Sequence, residues 1–393
     1  MSTTAEPKLV TRPFLLLLSG HLLQALGFSS MLLLPLYLNH LGASRKEIGA
    51  IMASAAIGGL LFRPAVAWAL DAWGRRPTLI VGTLFICSGM GMVAFITGVG
   101  VYPYVQRGVF GIGQGALFSG YFAFAADIVP RERRTEGLAL FGVSGLLPLA
   151  INPAVEQAHV APENLRWLFP VVGAVILLSI PLLFMMPEAE RHEKPGQVRL
   201  TDVGRAIGAR PLWPVWIATV VFGCLVASFM AFSTVTGAAR GIERPALLWL
   251  SYSGSAVLVR LVGGRLPDRL GTSNLVMPTI GLYVGASLLV ASGWSTLSFL
   301  AAGALAGVGH GYCFPVLASQ VVTRSPAHLR GTALTTYTAI WELSRLVLTP
   351  MFGAIADQYD DATMFASLAL GSLILMVPWV ALEAGKASQL TSS

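Results

Sequence analysis

The chain has 393 residues, of which 55% are hydrophobic and only 11% charged, with a formal net charge of +7. A soluble domain carries about 25% charged residues, so this composition excludes a water-covered protein, and a mean hydropathy of +0.70 places the chain in lipid. The basic excess would point to nucleic acid in a soluble protein, but here it falls in short spacers between apolar runs and reads as membrane topology.

In chain order the apolar runs fall at about 13–38, 47–70, 78–99, 103–126, 138–157, 166–187, 211–237, 246–266, 275–293, 297–322, 332–356 and 363–382. Each is close to the 20 or so residues that cross a bilayer. The first run follows Lys8 and Arg12. It is too long for a signal peptide and no small-residue cleavage site follows, so it reads as the first span. An even count puts both termini on one side. With both in the cytoplasm, inner segments hold about 17 Lys and Arg and outer segments about 5. The one long polar stretch carries Arg191, Lys194, Arg199, Arg205 and Arg210. It is expected on the cytoplasmic surface, partly as an amphipathic helix on anionic lipid. The predicted fold is an all-α membrane protein of twelve transmembrane helices in two pseudo-symmetric six-helix halves. Residues 1–187 form the N-terminal half, 188–210 the cytoplasmic central loop and 211–393 the C-terminal half.

An internal repeat supports the halves. At a shift of 197 residues Arg63 falls on Arg260, Asp71 on Asp268, Gly74 on Gly271 and Pro153 on Pro350. At a shift of 196, glycines 111, 113 and 115 fall on 307, 309 and 311. An ordered set containing Arg, Asp and Pro at nearly one offset marks two halves of like orientation, with a cavity expected near the bilayer midplane.

The segment after the second run reads Ala67-Trp-Ala-Leu-Asp71-Ala-Trp-Gly74-Arg75-Arg76, and its counterpart reads Gly264-Arg-Leu-Pro-Asp268-Arg269-Leu-Gly271. With twelve runs, the repeat and these loops, the chain resembles the major facilitator superfamily. That family's signature between helices 2 and 3 is Gly-x-x-x-Asp-(Arg/Lys)-x-Gly-(Arg/Lys)-(Arg/Lys). The first copy replaces the leading glycine by Ala67 and the first basic residue by Ala72; the second lacks the final basic pair. The resemblance implies a gate in which Asp71 faces the start of the eleventh helix near Gly331 and Asp268 the start of the fifth near Gly137. A carboxylate there would complement a helix dipole. Gly74, Arg75, Arg76, Arg269 and Gly271 complete the gate motif. The resemblance also implies a role for Arg107, ahead of Gly111, Gly113 and Gly115, in proton coupling. The fifth run, with Gly142, Gly145, Pro148 and Pro153, loosely matches the Gly/Pro-rich helix of proton-driven exporters. An ordinary proline bend is the alternative.

Ionisable residues inside a membrane are costly and mark pathways or relays. Glu342 and Arg345 lie three residues apart near the middle of the eleventh run and share a helix face. Glu342, Arg345, Arg107 and His21 are the proton-coupling candidates. The first, fourth, seventh and tenth helices line the cavity in the resembling family. Gln24, Gln114, Tyr121, Phe229, Phe232 and His310, with Tyr252 on the eighth run, are therefore the substrate-cavity candidates. Arg63 and Arg260 read as structural, reaching the cytoplasmic interface or pairing with Asp127 or another carboxylate. Cys87, Cys224 and Cys313 lack metal-ligand spacing, and no phosphate loop, zinc signature or catalytic triad spacing is visible.

These features predict a secondary active transporter working by alternating access, not an enzyme, with no cofactor and no metal. Its partners are a small-molecule substrate, protons and the lipid bilayer, without nucleic acid, and it is expected to be monomeric in a bacterial inner membrane. Proton-coupled efflux of a small amphipathic organic compound, such as a drug, secondary metabolite or metallophore-like molecule, is the favoured activity. Proton-coupled uptake of a small organic anion or nutrient is the alternative, with Arg107 and Arg345 as anion contacts. A non-transporting membrane sensor ranks third.

Overall fold

The structure is a computed structural model that describes residues 9–130, 133–186, 200–264, 266–326 and 329–391. Among them no strand occurs. The helices of the first part of the chain are α1 (Arg12–Ser30), α2 (Leu34–His40), α3 (Arg45–Ala53), α4 (Ala55–Leu61), α5 (Arg63–Ala72), α6 (Arg75–Met92), α7 (Val101–Ile128), α8 (Arg134–Val143), α9 (Ile151–Gln157), α10 (Leu165–Leu177) and α11 (Ser179–Met185). There follow α12 (Leu200–Gly208), α13 (Trp213–Ala239), α14 (Leu247–Val262), α15 (Leu266–Leu270), α16 (Thr272–Ser292), α17 (Thr296–Arg324), α18 (Arg330–Gln358) and α19 (Asp361–Thr391). Among the described residues nine helices are long and apolar enough to cross a membrane, or ten when the pair Arg45–Leu61 and Arg63–Ala72, bent by 46°, is taken as one span. Leu247–Val262 is apolar but shorter. The fifth apolar run is interrupted: α8 stops at Val143, a 3-10 turn covers Leu147–Ala150, and α9 starts at Ile151. Pro148 sits in that turn, where its missing N–H breaks no helical bond.

The chain divides into two units, Met1–Leu41 with Ile57–Pro195, and Gly42–Ala56 with Gly196–Ser393. Small residues set the close helix contacts in each. In the first unit α6 packs on α7, and a Cβ on Gly113 would lie 2.6 Å from both the Gly82 carbonyl oxygen and the Ile86 nitrogen. In the second, α16 packs on α17, and a Cβ on Gly309 would lie 2.8 Å from the Thr279 carbonyl oxygen. Those glycines are a repeat pair. Gly74 and Gly271, a second pair, open α6 and α16 with φ of 98° and 83°, a left-handed turn that glycine makes without a Cβ clash.

The second unit also holds α3, which packs on α18. The start of α3 shows why. The first N–H groups of a helix lack intrahelical acceptors. Here the Arg45 and Lys46 N–H groups donate to the two carboxylate oxygens of Asp357 at 2.6 and 2.8 Å. The Glu47 N–H donates to Ser44 Oγ, and the Glu47 carboxylate accepts from the Ser44 N–H, forming a capping box. The Arg45 side chain forks onto Asp361, Nε at 2.9 Å and Nη2 at 3.1 Å. Two glycines let the backbones meet: a Cβ on Gly49 would lie 2.9 Å from the Thr349 carbonyl oxygen, and one on Gly353 would collide with the Arg45 carbonyl.

Of the expected central loop, residues 188–199 lie outside the described residues. Residues 200–208 form α12, which packs on α18 with Ala206 buried and Arg205 and Ile207 exposed.

Candidate functional site

The candidate residues fall into one set in each unit. In the first, His21 on α1 stacks on Phe141, with ring centroids 4.4 Å apart, and meets Tyr121 at 5.3 Å. His21 Nδ1 lies 2.6 Å from Ser144 Oγ, and that hydroxyl donates its single proton to the Phe141 carbonyl at 2.6 Å. Nδ1 is therefore the donor to Ser144, and Nε2 is left as the proton acceptor. Ser144 follows the last residue of α8, so this chain of bonds ties His21 to the interruption of the fifth run. Gln24 is buried and donates to Thr83 Oγ1 and Ser179 Oγ, both at 2.6 Å, joining α1, α6 and α11. Tyr121 is fully buried, with its hydroxyl against Gly20. Arg107 is buried on α7 with its guanidinium 5.0 Å from the Phe110 ring, and Gln114, two turns on, is half-buried.

In the second unit an aromatic cluster surrounds His310. Its ring is 5.5 Å from Phe222, 5.8 Å from Tyr252 and 6.5 Å from Trp341, and Phe222 is 4.9 Å from Trp341. Phe229 continues the cluster toward Tyr283 at 5.6 Å and Tyr252 at 6.4 Å. The Tyr252 and Tyr283 hydroxyls are 3.2 Å apart. Phe232 is buried too, with its ring edge against Gly49 of α3. One turn beyond Trp341, Arg345 Nη1 lies 3.4 Å from Glu342 Oε1, with side chains 19% and 25% exposed. A pair this long is a weak one for charged partners, which favour 2.7–2.9 Å. The charges of Arg260 and Arg345 both reach His310.

The basic pair of the first loop motif bonds within its own unit. Asp71 is exposed in the last turn of α5. Arg75 pairs with Asp127 at 3.1 Å and bonds the Leu70 carbonyl, while Arg76 bonds the Met186 carbonyl. Asp127, which the sequence offered as a partner for Arg63 or Arg260, accepts from Arg75. Arg269 is exposed, and the Asp268 side chain lies outside the described residues.

Sequence reasoning passed over Ser144, Thr83 and Ser179, the polar partners of His21 and Gln24, because a hydroxyl in an apolar run carries no pattern of its own. It also passed over Trp341 and Tyr283. Trp341 had a usable signal: it precedes Arg345 by four residues and so shares its helix face.

The sequence profile of the Major Facilitator Superfamily matches residues 16–349. An uncharacterized MFS-type transporter of Salmonella typhimurium is 26% identical over 364 residues, covering 88% of this chain and 89% of that protein. A probable nitrate/nitrite transporter of Mycobacterium tuberculosis is 24% identical over 375 residues, covering 88% and 90%. Multidrug resistance protein 2 of Bacillus subtilis is 22% identical over 293 residues, covering 71% and 72%. Among solved structures, the nucleoside transporter NupG superposes with a TM-score of 0.76 at 14% identity, covering 95% of this chain and 99% of that one, a likeness of fold alone.

Proposed function

Because the chain belongs to the Major Facilitator Superfamily, whose members are multi-pass membrane transporters and not enzymes, we propose that it is a proton-coupled secondary transporter of a small amphipathic organic anion, working by alternating access. The observation that carries this reading is the balance of charge at membrane depth. Well inside the apolar runs stand four arginines, Arg63, Arg107, Arg260 and Arg345, and a single carboxylate, Glu342. Counted by residue type, basic groups outnumber carboxylates in these runs. Ionisable groups at that depth mark substrate pathways, and an excess of basic ones suits an anionic substrate. The aromatic cluster around His310 suits an apolar body on that anion. Twelve spans in two six-helix halves, both termini in the cytoplasm, a monomer and a bacterial inner membrane complete the reading.

The test is flux in proteoliposomes holding the purified protein. Under an inward proton gradient, a radiolabelled organic acid is expected to accumulate with protons. The second reading, proton-coupled export of an amphipathic compound, is favoured by the interruption of the fifth run at 143–151 and by the likeness to a multidrug resistance protein. Counterflow of compound and protons would establish it and overturn the first.

A further inference from the structure

Among the described residues, the pair Glu342–Arg345 is the only place in the second unit's spans where a carboxylate lies deep, and it is incompletely satisfied. A guanidinium has five N–H donors. The bond to Glu342 is a long 3.4 Å contact at Nη1, and Arg345 Nε is buried with no hydrogen-bond partner among the described residues. His310 Nδ1 is likewise buried without a partner among them. Trp341, one turn before Arg345, and Phe222 both pack near His310, and their rings meet edge to face with centroids 4.9 Å apart. The groups available are thus an underused fork for a carboxylate, an imidazole nitrogen, and aromatic surface for a planar body.

We propose that this is the binding site for an aromatic monocarboxylate, whose carboxylate takes Arg345 in place of Glu342 and whose ring packs against Phe222 and Trp341. The proposal rests on the transporter reading above and names its substrate class. With the substrate's carboxylate on Arg345, one proton on Glu342 leaves the net charge of the site as it was. A hydronium ion from the water that admits the substrate gives its proton to a Glu342 oxygen: one hydronium O–H bond breaks, one carboxyl O–H bond forms, and a water molecule is left. The charged group in contact with Glu342 is Arg345 on its own helix, and the titratable His310 on α17 and Tyr252 on α14 belong to the aromatic cluster that Trp341 joins one turn before Arg345. Among the described residues no second carboxylate bonds Arg345. Substrate and proton therefore occupy the site together with its net charge unchanged, and they cross in the same direction.

The experiment is calorimetric titration of the purified full-length protein in detergent with phenylacetate, phenethylamine and phenylacetamide, in two buffers of different ionisation enthalpy near neutral pH. Phenylacetate is expected to bind at least tenfold more tightly than the amine and the amide, with about one proton taken up per acid bound. Glu342→Gln should keep acid binding and take up no proton. Arg345→Gln should lose at least tenfold in affinity, and Phe222→Ala, which touches no charge, should weaken phenylacetate more than acetate. Equal or tighter binding of the amine or amide overturns the proposal, as does no binding of phenylacetate, or proton uptake that survives in Glu342→Gln. If phenylacetate fails to bind while another class of compound is moved in proteoliposomes, the site is wrong and the transporter reading stands. If phenylacetate binds in detergent and no organic acid is moved in vesicles, the site stands and the transporter reading fails.

Discussion

Removing the Asp357 carboxylate should loosen α3 from α18 and little else. Both of its oxygens are engaged, by the N–H groups of the first two residues of α3, at 2.6 and 2.8 Å. Loss of an N-terminal cap costs about 0.5–2 kcal/mol. Loss of a negative charge at a helix N-terminus adds about 0.3–1 kcal/mol. Because the contact is exposed, the lower parts of these ranges apply, and Asp357→Ala should destabilise the attachment by about 1–2 kcal/mol. That is about a 5- to 30-fold rise in the detached population. Asp357→Asn keeps one acceptor oxygen for two donors and should show about half the effect. The assay is hydrogen exchange of the purified protein, read for the peptide spanning Ile48–Met52, residues buried where α3 packs in the second unit. Its protection should fall by that factor, while the α6 peptide around Leu79–Met90 in the first unit stays unchanged. Asp361→Asn, which removes the fork from Arg45, should add to it. Unchanged protection at 48–52, or an equal loss in α6, would refute the idea that Asp357 holds this helix locally.

Asp71→Asn should slow transport at least tenfold without lowering membrane abundance, since the exposed carboxylate carries no structural bond among the described residues of its own unit; a wild-type rate in vesicles would remove Asp71 from the gate. Arg240 donates to the carbonyls of Val290 and Gly293 through Nη1 and of Ala291 through Nη2, closing the end of α16. Arg240→Gln should therefore lower stability by about 2 kcal/mol, and Lys, lacking the fork, should rescue less than half of it in a detergent melt. The Asp360 carboxyl, capping α19 through the Thr363 N–H at 2.6 Å, is held below its ordinary value of 3.8. A depressed folded value means the contribution is present above 3.8 and is lost as the pH falls through the lowered value. Exchange of the amides in the first turn of α19 should thus rise on acidification below 3.8, and in Asp360→Ala the acid-dependent step should be absent. Epitope tags at both termini should resist protease added outside intact cells, and cleavage of either would overturn the orientation drawn from the arginines.

The fold was legible because a bilayer leaves one local solution, the apolar helix, and hydropathy finds it. The repeat was legible for the same kind of reason. Gly74 and Gly271 occupy the same left-handed turn at the same place in each half, and a turn of that kind keeps its glycine. Gly42 and Gly241, with φ of 84° and 69°, end the preceding spans in the same way, although their offset differs from that of the other pairs. What the sequence hid is tertiary. Asp357 lies 312 residues from Arg45, and no local pattern joins them. The tautomer of His21 depends on Ser144, 123 residues away. The interruption of the fifth run stood between these extremes: Gly142, Gly145 and Pro148 signalled a weak helix, but only the packed chain shows the turn at 147–150.

The two units keep the repeat glycines in backbone geometry and depart from each other in charge. In the first unit the basic pair of the loop is used locally, with Arg75 on Asp127 and Arg76 on the Met186 carbonyl. The second unit has Thr272 and Ser273 where that pair would stand. It meets the same need from elsewhere: Arg324 forks onto Glu383 at 2.6 and 3.1 Å and donates to Ser273 Oγ at 2.9 Å. Such substitutions are what a shared mechanical requirement allows, because any guanidinium of the right reach ties a helix end. No such exchange has occurred at membrane depth, where the first unit carries Arg107 and His21 without a carboxylate and the second carries Glu342. If transport is proton-coupled as proposed above, this asymmetry favours Glu342 in the second unit over His21 as the proton carrier, since His21 Nδ1 is bonded to Ser144 beside the interrupted fifth run.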